Sequence, residues 1–323
     1  MRFGSFIAAI SLITCFVQPA TAATVVKVAV LKFGTVNWEL DVIKHHRLDE
    51  KQGISLEIVS LASTQATKIA LQGGATDIAV TDWLWVSRQR AAGLKLTLVP
   101  YSAALGAVMV SGTSDIKRLA DLKGKKLGIA GGPIDKSWLM LRASSRKSGI
   151  GDLVDHVEPV YGAPPLLAEK LRQGELDAVL NFWHFSARLE AEGFRRLIGM
   201  NQVIASLGGS GAIPMIGYTF HDRWAETNKA AVRSFIAAAA AARAIMARSD
   251  DEWRRLRPLT RAKDSKTLEA LRDRFREGIP NRDVTDLVRD ASILFDVLAE
   301  IGGTRLVGPG KSLAEGTFFR HGG

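Results

Sequence analysis

Hydrophobic and polar residues follow one another along this chain in a pattern typical of strands separated by helices. Apolar or alternating runs at residues 25–31 and 54–61 predict strands. Helical spacing of apolar residues predicts helices at 38–46, 65–71 and 83–92. Strands joined by helices form right-handed crossovers. The pattern therefore predicts a mainly parallel sheet with helices on both faces.

The same pattern occurs a second time further along the chain. Three pairs of similar segments, in the same order and with a nearly constant offset, are 27–34 with 126–133, 51–54 with 147–150, and 70–74 with 170–174. Trp83 and Trp183 are separated by a similar offset. An internal repeat of this length predicts two similar α/β lobes, one beginning near Val25 and one near Leu127.

The rest of the chain predicts one more strand and then only helices. The strand is predicted at 214–220; the helices are predicted at 228–248, 252–256, 265–276 and 284–301, with a stop at Gly302 and Gly303. We expect this helical C-terminal extension to return to lobe one. The predicted domains are lobe one at 23–111 plus 214–323 and lobe two at 112–213, and the predicted chain crossings are at 110–112 and 211–218.

The first 22 residues predict a cleaved secretory signal peptide. A short basic start at Arg2 precedes an apolar run at 6–17, and a small-residue cleavage site ends at Ala22. No later segment appears long and apolar enough to span a membrane, so we expect a soluble periplasmic protein. The only cysteine, Cys15, lies in this leader, and a lipid anchor there stays open. Without it the chain has no disulfide, thiolate nucleophile or cysteine metal site.

The charge of the chain changes this interpretation little. There are 43 Lys and Arg residues against 33 Asp and Glu residues, a formal net charge of +10. The excess is dispersed, and no basic block interleaves with aromatic residues, so we do not expect nucleic-acid binding. No HExxH motif, phosphate-binding loop or nucleophile elbow is present. His45 and His46 are adjacent and diverge on a helix, so no metal site is expected.

The segment 121–129 and the Gly-x-x-Asp spacing at Gly74 and Gly174 resemble those of type II periplasmic substrate-binding proteins of the nitrate/sulfonate/taurine (NitT/TauT) class. The resemblance implies a two-lobed monomer without a cofactor. It implies that a small solute is captured by hinge closure and delivered to an ABC permease and its ATPase. Two other functions stay open: a solute sensor, and an enzyme similar to the thiamine-pyrimidine synthase on the same fold. That enzyme's cysteine-rich motif is absent here.

Ligands of open α/β sheets bind beyond the carboxyl ends of the strands, and in this sequence those loops carry most of the tryptophans. The candidate ligand-binding residues all follow predicted strands and are Trp38, Ser63, Thr64, Gln65, Asp82, Trp83, Gly132, Asp135, Lys136, Ser137, Trp138, Trp183 and His184. Two structural roles are alternatives to ligand contact: Asp82 and Asp135 would serve as helix N-caps, and a tryptophan would pack beneath the site.

The candidate residues leave two kinds of solute open. Asp82 beside tryptophan faces favours a cationic or ring-bearing organic molecule held between Trp38, Trp83 and Trp183. The hydroxyls of Ser63 and Thr64, together with free helix amides, favour an oxyanion such as a sulfonate, taurine or nitrate. No arginine falls on the predicted loops, which argues for the first solute.

Overall fold

A computed structural model describes residues 23–320, and the predicted signal peptide and Cys15 lie outside the described residues. The strands form two five-stranded sheets. Sheet one has the order β2-β1-β3-β10-β4, with β1 at Thr24–Leu31, β2 at Ile54–Leu61, β3 at Ile78–Asp82, β4 at Leu96–Ser102 and β10 at Ile216–His221. Sheet two has the order β7-β6-β8-β5-β9, with β5 at Ala107–Val110, β6 at Lys126–Ala130, β7 at Glu158–Gly162, β8 at Ala178–Asn181 and β9 at Arg195–Gly199.

The helices flank both sheets, as the sequence pattern predicts. Their bounds are α1 Val36–His45, α2 Leu48–Lys51, α3 Thr64–Gln72, α4 Trp83–Ala91, α5 Lys136–Lys147, α6 Pro164–Arg172, α7 Trp183–Ala191, α8 Met200–Leu207, α9 Asp222–Thr227, α10 Lys229–Arg248, α11 Asp250–Thr260, α12 Ser265–Glu277 and α13 Val284–Val307. The predicted α/β class, with two sheets flanked by helices, is confirmed.

Each sheet contains one strand that runs against its neighbours. β10 is antiparallel to β3 and β4, and β5 is antiparallel to β8 and β9. The other four strands of each sheet are therefore parallel, and their carboxyl ends lie at one edge. β5 and β10 both start at that edge. The chain thus passes from one sheet to the other at the carboxyl edges of the two sheets.

The first crossing lies earlier than the sequence pattern suggested. It occupies residues 103–106 and not 110–112, because Ala107–Val110 already pairs with β8 and β9 in sheet two. The short run 107–110 is apolar and fully buried, and nothing in its pattern shows which sheet it joins. The second crossing ends where β10 begins at Ile216, within the predicted range 211–218.

The internal repeat has a structural counterpart at the start of the first strand of each half. The Lys27 amide donates to Asp77 Oδ2 at 2.8 Å, and the Lys126 amide donates to Asp177 Oδ2 at the same distance. In return, each aspartate amide donates to the carbonyl of the matching lysine. The Gly-x-x-Asp spacing therefore fastens the third strand of each repeat to the first.

The C-terminal helices pack on both sheets, more widely than the predicted extension on lobe one. α10 lies on α1 and α2 beside sheet one. α12, however, packs mainly on α7, where Arg274 contacts Glu190 at 2.8 Å. α13 packs on α5 and α4 together. A side chain at Gly302 would first meet Leu306 of α13 itself, at 2.6 Å, and then Leu139 of α5, at 3.3 Å.

Helix α10 has the length and hydropathy of a membrane span, which the sequence pattern did not single out. In the fold it is a core helix. Its buried face, including Val232, Phe235 and Met246, packs against sheet one and its helices. On the same helix Arg243 pairs with the buried carboxylate of Glu39 at 3.0 Å. The apolar composition of α10 is therefore accounted for by packing within the protein.

Candidate functional site

Four helix N-termini meet where the carboxyl edges of the two sheets face each other. They belong to α1 and α4 beside sheet one and to α5 and α7 beside sheet two. The repeat places tryptophans at matching positions: Trp38 and Trp138 are the third residues of α1 and α5, and Trp83 and Trp183 are the first residues of α4 and α7. The candidate site is thus built from equivalent parts of both halves.

The first contact between the halves is aromatic. The ring centroids of Trp38 and Trp183 are 5.8 Å apart and the rings are nearly perpendicular. Trp253 packs on Trp38, and Phe275 packs on Trp183, on the far side of this pair. The two tryptophans are only 5% and 8% exposed. The structure therefore brings Trp38 and Trp183 together as predicted, but in direct contact, with no ring-sized gap between them.

The second contact between the halves is ionic. Lys68 of α3 and Lys136 of α5 each place Nζ 3.6 Å from Asp82 Oδ2, and the three side chains are mostly buried. Lys68 also lies over the ring of Trp85, 4.9 Å from its centroid. Lys136 comes from the second half of the chain and Asp82 from the first. Two ammonium groups from different halves thus converge on one carboxylate, which we name the lysine pair site.

Asp82 has two roles at this position. Its Oδ1 accepts the Trp85 amide at 2.9 Å and caps α4, which is the structural alternative to ligand binding given in the sequence analysis. Burial opposes ionisation of the carboxyl, but Lys136, Lys68 and the Trp85 amide outweigh it and hold the pKa of Asp82 below its ordinary value. Asp82 is therefore ionised and already paired, which leaves little of its charge for a cationic ligand.

The N-terminus of α3 lies one turn before Lys68 and is open to solvent. Ser63 caps the helix by accepting the Ala66 amide at 3.1 Å. The side chains of Ser63, Thr64 and Gln65 are exposed. An α-helix N-terminus carries unpaired N–H groups and partial positive charge, so this end favours a negatively charged group.

The turn before α5 holds the backbone that precedes Lys136 in a defined conformation. Gly131 and Gly132 both have positive φ, at 88° and 93°, a conformation that favours glycine. Asp135 caps α5 by accepting the amides of Ser137 and Trp138. Burial raises the pKa of Asp135, against the opposing effects of Lys136 and these amides. The side chain of Asp135 is thus directed at its own helix rather than at the lysine pair site.

Trp83 and Trp138 have no exposed surface, so in this structure they lie beneath the site and do not line it. Both belong to the hydrophobic core, where Trp83 packs against Phe318 and Trp138 against Arg142. Neither indole N–H has an acceptor within the described residues. This is the alternative that the sequence left open, a tryptophan that packs beneath the site.

His184 sits beside Trp183 and is largely buried. Burial, with a smaller effect from Arg188, lowers the pKa of His184 to about 4, so its imidazole is neutral at neutral pH. Its Nδ1 has no hydrogen-bond partner within residues 23–320. A neutral imidazole carries one donor and one acceptor. His184 can therefore hydrogen-bond a polar ligand atom but adds no charge.

A cavity of about 340 Å³ lies at the chain crossings and reaches Trp183. Its polar lining comes largely from residues that the sequence pattern did not point to: Arg196, Asn201, Gln202, Arg274 and Glu277. Asn201 and Gln202 begin α8, which follows β9 at the binding edge of sheet two. The helix after β9 was not predicted, and Arg274 lies in the C-terminal extension, so only the fold brings them to this edge.

A larger cavity, of about 910 Å³, lies away from the binding edges, between α9, α10, α13 and residues 313–320. It contains none of the predicted site residues. Within the described part of the chain, no three histidine, cysteine or carboxylate side chains are grouped so that they could hold a metal ion. His46 instead contacts Glu252 at 3.0 Å, which ties α1 to α11.

Periplasmic binding proteins are among the known proteins of similar structure. The aliphatic sulphonate binding protein SsuA of Escherichia coli superposes with a TM-score of 0.73 at 20% identity, over 92% of each chain. The alkanesulfonate-binding SsuA of Xanthomonas axonopodis pv. citri, bound to MOPS, gives 0.67 at 17% identity over 93% of this chain and 99% of that one. An ABC transporter structure from Parabacteroides distasonis gives 0.70 at 13% identity, covering 93% and 100%.

These structural matches confirm the predicted periplasmic-binding-protein fold; at such low identity they carry no information on the solute. A comparison with curated protein sequences found no match. The family model described as NMT1/THI5 like matches residues 50–252, which is more than half of the chain. The chain therefore belongs to the NMT1/THI5-like family.

Proposed function

We propose that this protein is the periplasmic solute-binding component of an ABC importer, and that its solute is a small organic molecule bearing one anionic group. The lysine pair site carries the proposal: Lys68 and Lys136 reach one point between the two halves from opposite sides. The family membership, the fold and the predicted signal peptide support the role. The SsuA relatives are described as binding sulfonates, which is consistent with an anionic solute.

The electrostatics of the site favour an anion over the cationic ring that the sequence suggested. Asp82, the basis of that expectation, is paired with two lysines. Trp38 and Trp183 contact each other directly, so a ring could enter only if they separated. The exposed N-terminus of α3 adds a positive dipole end beside Lys68. Together these groups make the lysine pair site a local region of positive potential.

The organic part of the solute has a place on the same edges. Large apolar side chains are exposed close in sequence to the lysine pair: Ile134, in the turn before Lys136, is 50% exposed, and Ile69, which follows Lys68, is 59% exposed. Phe182, which precedes Trp183, is 36% exposed. Exposed apolar residues around a polar site are typical of ligand-binding grooves. We infer that the anionic group lies at the lysines and the carbon skeleton along these side chains.

The two halves would act as lobes that close over the solute. We propose crossings at 103–106 and at 208–215 as the hinge, with sheet one and α10 moving against sheet two. The Trp38–Trp183 and Asp82–Lys136 contacts join the lobes in the structure, so they are the contacts that opening would break. A solute that binds groups on both lobes stabilises the closed state, because only closure brings those groups together.

The experiment combines identification with measurement of affinity. Native mass spectrometry of the gently purified mature protein should show a co-purified small molecule. Isothermal titration calorimetry with that molecule, or with short alkanesulfonates and carboxylates, should then give saturable binding. Lys136→Gln should weaken it by about 1–3 kcal/mol, the range for a hydrogen bond to a charged group. Lys147→Gln, on the exposed side of the same helix, is the matched control and should leave it unchanged.

Two results would count against the proposal. Tight binding of a cationic solute, with no dependence on Lys68 or Lys136, would favour the ring-bearing cation. Unchanged small-angle scattering at saturating solute would contradict hinge closure, because closure should reduce the radius of gyration. Import is distinguished from sensing by uptake of the labelled solute in cells: deletion of the gene should abolish uptake if the protein feeds a permease.

A further inference from the structure

We infer that Asp82 is a specificity-determining residue, which restricts the lysine pair site to solutes with a single negative charge and rejects dianions such as sulfate. The inference rests on the proposed function and adds to it the charge of the solute. It is carried by the position of the carboxylate, which lies 3.6 Å from both lysine Nζ atoms and is mostly buried.

The charges at the site can be counted from its contacts. Lys68 and Lys136 contribute two positive charges, and Asp82, whose Oδ2 faces both, removes one. Asp135 is the other nearby carboxyl and interacts with Lys136, and Arg88 is a further cation near Lys68, so these two charges offset each other. The lysine pair site therefore presents about one unit of positive charge to a ligand.

A buried site discriminates strongly between ligand charges, because an unpaired charge in a low-dielectric environment is costly. A monoanion that contacts the lysines balances the site. A dianion of the same shape brings a second negative charge close to Asp82, and the repulsion grows in proportion to the charge of the ligand. The carboxylate thus opposes binding of sulfate more strongly than binding of a sulfonate.

Asp82 can be changed without loss of its role as a helix cap. Oδ1 of Asp82 accepts the Trp85 amide, and asparagine caps helices about as well as aspartate. Asp82→Asn therefore removes one negative charge and nearly preserves the shape. The matched control is Asp264→Asn, since Asp264 caps α12 by accepting the Thr267 amide at 2.7 Å, far along the chain from the lysine pair site.

The test compares methanesulfonate, a monoanion, with sulfate, a dianion of similar shape. Affinities of the mature protein and the variants are measured by calorimetry at pH 8 and at constant ionic strength set with sodium chloride. We expect the wild-type protein to prefer methanesulfonate. In Asp82→Asn the ratio of the two dissociation constants should shift toward sulfate by about tenfold or more, because loss of the carboxylate charge removes a repulsion that is larger for the dianion. Asp264→Asn should leave the ratio unchanged.

The outcomes separate this inference from the proposed function. If methanesulfonate binds and depends on Lys136, but Asp82→Asn leaves the ratio unchanged, the charge restriction is wrong and the anion site stands. If the wild-type protein binds sulfate as tightly as methanesulfonate, the restriction is also wrong. If neither anion binds the wild-type protein nor competes with its co-purified solute, the proposed anionic solute fails, and the inference fails with it. Thermal melting of each variant shows that it is folded.

Discussion

The buried ion pair between α1 and α10 should be one of the largest single contributions to stability. Glu39 is fully buried, and both its oxygens contact Nη1 of Arg243, at 3.0 and 3.3 Å. The Tyr218 hydroxyl donates to Glu39 Oε1 at 2.8 Å. We predict that Arg243→Met lowers the free energy of unfolding by about 3–5 kcal/mol, since it leaves a carboxylate buried without its cation. That is a large part of the free energy of unfolding of a typical folded domain, which is about 5–15 kcal/mol.

The loss should depend on pH with a definite sign. Burial outweighs Arg243 and Tyr218 and already raises the pKa of Glu39 in the folded protein. Without Arg243 the pKa should rise further. A group whose folded pKa is raised contributes stability that is present below its unfolded pKa and lost as the pH rises through its folded pKa. The difference between wild type and Arg243→Met should therefore be smallest near the unfolded pKa of glutamate and largest at neutral pH.

Urea denaturation followed by tryptophan fluorescence, at a series of pH values from acidic to neutral, measures this difference. Arg233→Met is the matched control, because Arg233 is exposed on the same helix and should change stability by less than about 0.5 kcal/mol. The double variant Glu39→Gln/Arg243→Met should recover part of the loss, since no buried charge remains. A loss below about 1 kcal/mol, or one independent of pH, would refute the reasoning that the buried carboxylate needs its cation.

Four further substitutions test the repeat, the packing and an ion pair. Asp77→Ala and Asp177→Ala each remove one 2.8 Å hydrogen bond to a strand amide, and we expect similar losses of about 1 kcal/mol in urea denaturation; clearly unequal losses would show that the two bonds are not energetically equivalent. Gly128→Ala should lower stability by about 1–3 kcal/mol, because its methyl would lie 2.7 Å from a Leu176 methyl; an unchanged melting temperature would mean that the core adjusts. Asp152→Asn should destabilise at neutral pH, and progressively less as the pH falls from the unfolded pKa of aspartate toward the lower folded pKa, because the guanidinium of Arg142 holds the pKa of Asp152 well below its usual range. A difference that has already vanished at the unfolded pKa, or one independent of pH, would contradict this assignment.

The local periodicity of apolar residues was sufficient to predict most of the strands and helices. The strand at Ile54–Leu61 was predicted with its observed bounds, and α10 was predicted within one residue at its start. The repeat was predicted from short sequence matches. In the structure, the aspartate of each Gly-x-x-Asp segment forms a hydrogen bond to a neighbouring strand. Local patterns miss elements that are short or buried on all sides. The strand Ala107–Val110 is such a case, and with it the position of the first crossing was misplaced.

The location of the candidate site stays a prediction, and the side chains that meet at it were predicted only in part. The sequence places polar and aromatic residues after the strands of each half, and the order of strands implies that these ends share an edge. It cannot show which side chains meet across the two halves, since that depends on how the lobes face each other. Asp82 therefore suggested a cationic ligand until the fold brought Lys68 and Lys136 to it.

What the sequence alone determined is the alternation of strands and helices, the internal repeat, the family resemblance and the loops that follow the strands, because each follows from residues close together in the chain or from a regular spacing. What only the tertiary structure decided is the charge of the site, the burial of Trp83 and Trp138, and the packing of α12 on α7. These depend on contacts between distant segments. The net charge at a point is the sum over all groups that folding brings near it, and no local pattern contains that sum.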